Sequence, residues 1–411
     1  MALNIVFIAF FLIAFLVALV RLVFFGDTGI FQAMVNGIFD NSRFAVMDIC
    51  LPLIGIMAFW LGIMKVGEKG GVVRTLSKIV GPFFSKLFPE VPKDHPALGA
   101  ILMNFAANML NLDNAATPLG LKAMEELQSL NPVKDTATNA QIMFLVLNAS
   151  SLTLLPINIM AYRSQLHAAN PSDVFIPILI ATFFSVMTGL ITVSIYQRIN
   201  LFNRVMLAYL GTFVLAIGGL LYYFSTIPSS RINLISSVAG NLLLVTIVIL
   251  FITMGLIRKI NVYDTFIEGA KEGFSIAIRI IPYLVAILVA IGLFRTSGCL
   301  DYLVQGIGSL VHLFGLNTDF VPALPVAFMK PLSGSGARGL MIEVMQKYGA
   351  DSFPGRVACV IQGSTETTFY VLAVYYGAVN IKKIRHTLPC ALLAEIVGII
   401  AGICVAYVFF H

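Results

Sequence analysis

The polar residues able to do chemistry in this chain stand in four short clusters inside otherwise apolar sequence. The first runs to Pro118 and holds Asn108, Asn111, Asp113, Asn114 and Thr117, with Asn104 one turn earlier. Amide, hydroxyl and carboxylate oxygens suit a small hard cation such as sodium; otherwise Asp113 carries a proton. Pro118 fits the first turn of a helix, and Thr117 or Asn114 either caps that turn or lines the site. The second cluster follows Lys330 and Pro331 with Ser333, Gly334, Ser335, Gly336 and Arg338. Small residues bare backbone N–H groups where a helix begins, which makes an anion site, and Arg338 adds a fork for carboxylate or phosphate. The plainer alternative is a linker with Arg338 reaching outward.

The third cluster is Asn148, Ser150, Ser151 and Thr153, and the fourth is Gln362, Ser364, Thr365, Glu366, Thr367 and Thr368. Hydroxyls in membrane helices commonly bond back to the preceding turn. Glu366 has no such excuse, and no lysine or arginine shares its span, so it is expected to be a functional carboxylate. Glu395 in the last span is a second such acid, functional or structural, while Asp48 near the start of the second span reaches the membrane interface. No histidine lies at membrane depth to activate Ser335, and no second aspartate in a matching span pairs with Asp113. No catalytic residue and no enzyme activity are expected. The five histidines have no metal-ligand spacing and the five cysteines form no disulfide framework, so sodium or a proton is the whole expected cofactor set.

Such clusters need membrane helices to hold them. Of 411 residues, 59% are apolar and only 11% are charged, against about 25% charged in soluble domains. A water-soluble enzyme is excluded, and an all-α polytopic membrane protein is the fold class expected. At roughly 20 apolar residues per crossing, candidate spans lie near 3–25, 44–64, 172–197, 203–225, 233–257, 276–295 and 387–410, with broken ones near 138–163 and 354–378. That makes nine crossings, the first retained and not cleaved. The stretches 95–128 and 319–348 each have two short apolar arms around a polar tip, the pattern of a re-entrant hairpin. Basic residues cluster at 65–93, 198–204, 258–271 and 382–385, which puts the N-terminus in the cytoplasm and the C-terminus outside. The net charge of +6 reads as this bias, and no nucleic-acid partner is expected.

The chain also repeats itself. Residues 51–67 are echoed by 281–298, Pro96-Ala97-Leu98 by Pro322-Ala323-Leu324, Gly120-Leu121 by Gly339-Leu340, and 148–156 by 362–370. The expected organisation is an N-terminal span and external loop at 1–34, a first repeat at 35–200, two linking spans at 201–260 and a second, inverted repeat at 261–411. Polar breaks at matching positions of inverted repeats point to a transporter's substrate site.

The strings NLDNAATPLGLKAMEELQ (111–128), SGSGARGLMIE (333–343) and IQGSTETTFYVLAVYYGAV (361–379) resemble spore maturation proteins A and B joined in one chain, of the nucleoside recognition (Gate) group. The twice-used order of interfacial helix, hairpin, broken span and closing span also resembles the core of concentrative nucleoside transporters. By that resemblance, 108–117 with 148–153 forms the cation half, 333–338 with 362–368 forms the substrate half, and Glu366 falls where that fold carries a ribose-binding acid. The expected function is secondary active transport of a small polar or anionic solute, coupled to sodium or protons, in a bacterial cytoplasmic (inner) membrane. The alternative is a membrane receptor or assembly partner that binds a solute without carrying it. Partners are the lipid bilayer, the solute and a second copy in a homo-oligomer.

Overall fold

The computed structural model describes residues 2–92, 95–109, 113–226, 229–313, 315 and 317–411. In chain order the helices are α1 Ala2–Phe25, α2 Ile30–Arg43, α3 Leu51–Lys69, α4 Val72–Leu87, α5 Pro96–Met109, α6 Asp113–Ser129, α7 Asn139–Ser150, α8 Ile157–Gln165 and α9 Phe175–Gln197. They continue with α10 Arg204–Thr226, α11 Ser229–Ile257, α12 Val262–Thr296, α13 Cys299–Leu313, α14 Leu324–Met329, α15 Gly334–Tyr348, α16 Phe353–Gly363, α17 Thr368–Ala378 and α18 Thr387–Phe410. A π-helical stretch, Phe44–Cys50, joins α2 to α3. No strand forms among the described residues.

Among the described residues, six segments are long and apolar enough to cross a membrane, and seven if the pair Leu284–Thr296 and Cys299–Leu313, bent by 71°, is one span. Nine were expected from the sequence. The stretch 138–163 is cut into α7 and α8, of 12 and 9 residues. At 1.5 Å per residue these reach about 18 Å and about 14 Å, each well short of roughly 30 Å of hydrocarbon. The expected spans 233–257 and 276–295 lie in the long helices α11 and α12, but parts of both fall on side chains outside the described set.

The chain forms two compact units. The first comprises residues 1–60, 158–171 and 270–362. Its apolar centre sets Ala14, Ala18, Ile30 and Met34 against Val289 and Leu293. Arg21 pairs with Asp27 at 2.7 Å and donates to the carbonyls of Thr296 and Ser297 at 3.4 and 3.2 Å, closing the C-terminal end of α12. Arg163 is fully buried and satisfied by the carbonyl of Ala350 at 2.6 Å and by Asp351 at 3.0 Å.

The second unit comprises residues 61–157, 172–269 and 363–411. Here α9 and α18 pack closely because small residues face each other. A Cβ on Gly398 would lie 2.9 Å from both Ser185 Cβ and Thr365 Cγ2. Ser185 also donates to the carbonyl of Ala394 at 3.0 Å. At one end of the unit, Asn139 donates to Glu90 at 2.6 Å, Gln197 to the Asn139 carbonyl at 2.8 Å, and the backbone of Lys382 and Lys383 to the Asp135 carbonyl at 2.9 Å. Gln197 also meets His386 at 3.5 Å. Three of the basic loops therefore meet beside one another.

Candidate functional site

In the second unit, α5 and α6 pack as a helical hairpin whose turn, 110–112, lies outside the described residues. Asn104, with no exposed surface, donates to the Ala116 carbonyl at 2.6 Å and ties the arms together. Asn108 Nδ2 then reaches Asn104 Oδ1 at 3.3 Å and Asn148 Oδ1 at 2.8 Å, and Asn148 Nδ2 donates to the Phe144 carbonyl at 2.8 Å. The spacing of four between Asn104 and Asn108 and between Phe144 and Asn148 puts each pair on one helix face. The result is a chain of amides from the hairpin into α7.

Both broken helices open in this unit. The α7 helix ends at Ser150, and 151–156 are unwound before α8; α16 ends at Gly363, and 364–367 are unwound before α17. Backbone freed at membrane depth must find partners. The Leu154 N–H donates to the Met109 carbonyl at 3.0 Å, and the Glu366 N–H to the Ala149 carbonyl at 2.9 Å. The hairpin, the first break and the second break are thus stitched together. Ser150 bonds back to the Val146 carbonyl at 2.9 Å, the ordinary structural role of a helix serine. Ser151, Ser364, Thr365, Thr367 and Thr368 are buried, and Thr153 is half-buried. Thr365 Oγ1 is buried with no hydrogen-bond partner among the described residues. Thr368 donates to buried Glu395 at 2.6 Å. Glu366 itself is exposed.

The first unit carries the other tip. Ser333 has extended backbone and caps α15, its Oγ accepting from the Gly336 N–H at 3.0 Å and lying 3.2 Å from Ser335 Oγ. Lys330, 4% exposed, donates to the Gln362 carbonyl at 2.7 Å near the C-terminal end of α16. Gln362 Nε2 in turn meets the Gly334 carbonyl at 3.5 Å, and its buried Oε1 has no partner among the described residues. The first N–H groups of a helix have no intrahelical acceptor, so α15 opens beside a buried ammonium. Arg338 is half-buried, its guanidinium 5.8 Å from the centre of the Tyr162 ring.

Of the residues singled out from sequence, Asn108, Asn148, Ser150, Ser151 and Thr153 gather with Ser364, Thr365, Glu366 and Thr367 in the second unit. Ser333, Gly334, Ser335, Gly336, Arg338 and Gln362 gather in the first. The fourth cluster is divided between the units after Gln362. Asn111 lies outside the described residues, as do the side chains of Asp113 and Asn114 at the start of α6. Thr117 is half-buried, and Pro118 falls in the second turn of α6, because that helix already begins at Asp113. Sequence reasoning set Asn104 and Lys330 beside the clusters without giving either a ligand role. The i, i+4 spacing to Asn108 was the available signal for Asn104; a lysine beside a Ser-Gly tip was the signal for Lys330.

A profile of the nucleoside recognition (Gate) family matches residues 50–165 and 277–382. The two segments include the α5–α6 hairpin, the tip at the start of α15 and both helix breaks. Spore maturation protein B of Bacillus subtilis (strain 168) is 46% identical over 156 residues, 38% of this chain and 86% of that protein. Spore maturation protein A of the same organism is 40% identical over 166 residues, 40% of this chain and 84% of that protein. Each relative is thus covered over most of its own length by less than half of this chain. No solved structure gives a significant match.

Proposed function

This chain belongs to the nucleoside recognition (Gate) family, and we propose that it is a secondary active transporter of a small polar or anionic solute. The observation that carries the proposal is the meeting of the two broken helices, Glu366 N–H on Ala149 carbonyl, beside a hairpin tied in by Asn108 and Asn148. Unwound helix ends at membrane depth are tolerated where they line a cavity, and there they coordinate ions and solutes. Asn108, Asn148, Thr365 and the freed carbonyls form the ion-side half, which takes sodium, or a proton through Asp113. The α15 N-terminus with Ser333, Ser335, Gln362 and Lys330 forms an anion-binding half. The anion-binding half takes a carboxylate or phosphate of the solute, and the exposed Glu366 of the second unit suits a hydroxyl or amine.

The matched segments support two inverted repeats, each with a re-entrant hairpin and a broken span, moving against each other to alternate access. The convergence of the loops at Glu90, Asn139, Gln197 and His386 supports one cytoplasmic face for the basic clusters. The N-terminus is then cytoplasmic and the C-terminus external, in a bacterial inner membrane.

A binding role without transport, as receptor or assembly partner, draws on one observation. The Bacillus relatives are named for spore maturation and not for a carried solute. Comparison of metabolites inside and outside deletion and overexpressing cells separates the readings. Opposite shifts of one polar metabolite across the membrane are expected of a transporter; unchanged pools on both sides contradict it.

A further inference from the structure

On the apolar side of the first break, the second unit holds a cavity of about 490 Å³. Its wall includes Phe84 of α4, Phe105 and Met109 of α5, Leu152 in the first break, Val186 of α9 and Phe213 of α10. The size falls in the roughly 300–1,000 Å³ range of ligand pockets. At roughly 30 Å³ of liquid per water it would hold about sixteen waters, each wanting two to four polar partners. The wall offers almost none. Tyr209 also lines it, but its hydroxyl is spent on the Ile79 carbonyl at 2.6 Å. Water is therefore a poor occupant and a hydrocarbon chain a good one.

Two features of the surroundings say what brings that chain. First, α9 and most of α10 are among the segments long and apolar enough to cross the membrane, and the lining residues Ala208 and Thr212 are exposed. The mouth of the cavity consequently opens toward hydrocarbon. Second, exposed Arg204 stands four residues before Ala208, on the same face of α10 and about 6 Å along its axis. A cation one turn beyond the mouth suits an anionic headgroup, whose own acyl chain would fall into the cavity.

We propose that this cavity is a binding site for one acyl chain of an anionic phospholipid, with Arg204 holding the headgroup. The chain lies against Met109 and Leu152, which flank the backbone bond between the Met109 carbonyl and the Leu154 N–H. It therefore braces the junction of the hairpin with the first broken helix from its apolar side. The polar side of that junction is the amide chain of Asn108 and Asn148, so the lipid and the ion-side ligands share one hinge.

The test uses the full chain purified in mild detergent. Native mass spectrometry and analysis of extracted lipid should find one anionic phospholipid retained per chain. Plugging the mouth with Ala208→Trp or Thr212→Trp should lower retention at least tenfold, and Arg204→Gln should lower it severalfold. Leu207→Trp, exposed on a different face of α10 and not part of the cavity wall, should leave it unchanged. Should the plugged variants fail to fold, Phe213→Trp in a Trp60→Phe background keeps the test alive: brominated phosphatidylglycerol should quench its fluorescence. Hydrogen exchange at the backbone of 151–156 should slow when lipid is restored to delipidated protein. Absence of bound phospholipid, a free fatty acid in its place, equal retention in folded plugged variants, or unchanged exchange would overturn the proposal.

Discussion

The backbone N–H of Glu366 donates to the carbonyl of Ala149 across 2.9 Å, so the two broken helices are joined at their breaks by main chain and not by the glutamate side chain. That division separates structure from function at one residue. Glu366→Gln keeps the bond and alters only an exposed group. Its melting temperature in detergent should match wild type, since surface changes stay within about 0.5 kcal/mol, while solute uptake falls at least tenfold. Glu366→Pro removes the donor and should cost about 1–3 kcal/mol of stability. Normal uptake by Glu366→Gln would make the carboxylate a bystander.

The amide chain predicts non-additivity. Asn148→Ala deprives Asn108 of its 2.8 Å acceptor, and Asn108→Ala deprives Asn148 of its donor. Each should destabilise by about 1–2 kcal/mol, and the double variant by about 0.5–1.5 kcal/mol less than the sum. Strict additivity in thermal or denaturant melts would show that the two amides do not work as a pair.

Lys330 and Arg338 should differ in rank. Lys330 is buried at the opening of α15, whereas Arg338 lies over Tyr162. The loss of one charge-assisted bond costs about 1.5–3 kcal/mol, roughly ten- to a hundredfold in affinity. Lys330→Met should weaken binding of the native anionic solute by that factor, and Arg338→Gln by less. Calorimetry with the solute found by metabolite comparison gives the ranking; the reverse order would move the anion contact to Arg338.

Much of this was legible in the sequence for a physical reason. Long apolar runs report spans, and a cluster such as Asn148 to Thr153 reports a break because polar side chains at membrane depth are costly. The hairpin arms α5 and α6 were likewise visible as short apolar stretches around a polar tip. What stayed hidden were long-range partnerships. Nothing local says that Asn104 reaches Ala116, that Lys330 reaches the Gln362 carbonyl, or that Glu395 takes the Thr368 hydroxyl.

A pH effect follows from His386, which precedes the last span and stacks on Tyr196 with ring centres 4.8 Å apart. Burial, helped by the neighbouring Arg385 guanidinium, holds its imidazole below the ordinary value of 6.5. With the folded value depressed, the contribution of neutral His386 is complete above about pH 6.5 and is lost as pH falls through that value toward the folded one. Wild-type melting temperature should drop between pH 7.5 and pH 5, and His386→Gln should show a smaller drop. Parallel curves would exclude this histidine as the source.

Flux in sealed vesicles tests the central claim most directly. Purified protein in proteoliposomes, given the solute outside and an inward sodium or proton gradient, should accumulate it above the outside concentration. Collapsing the gradient with an ionophore should release the excess, and exchange of labelled for unlabelled solute should continue without any gradient. Saturable binding with neither net uptake nor exchange, in protein whose folding is intact, would contradict transport and leave a receptor.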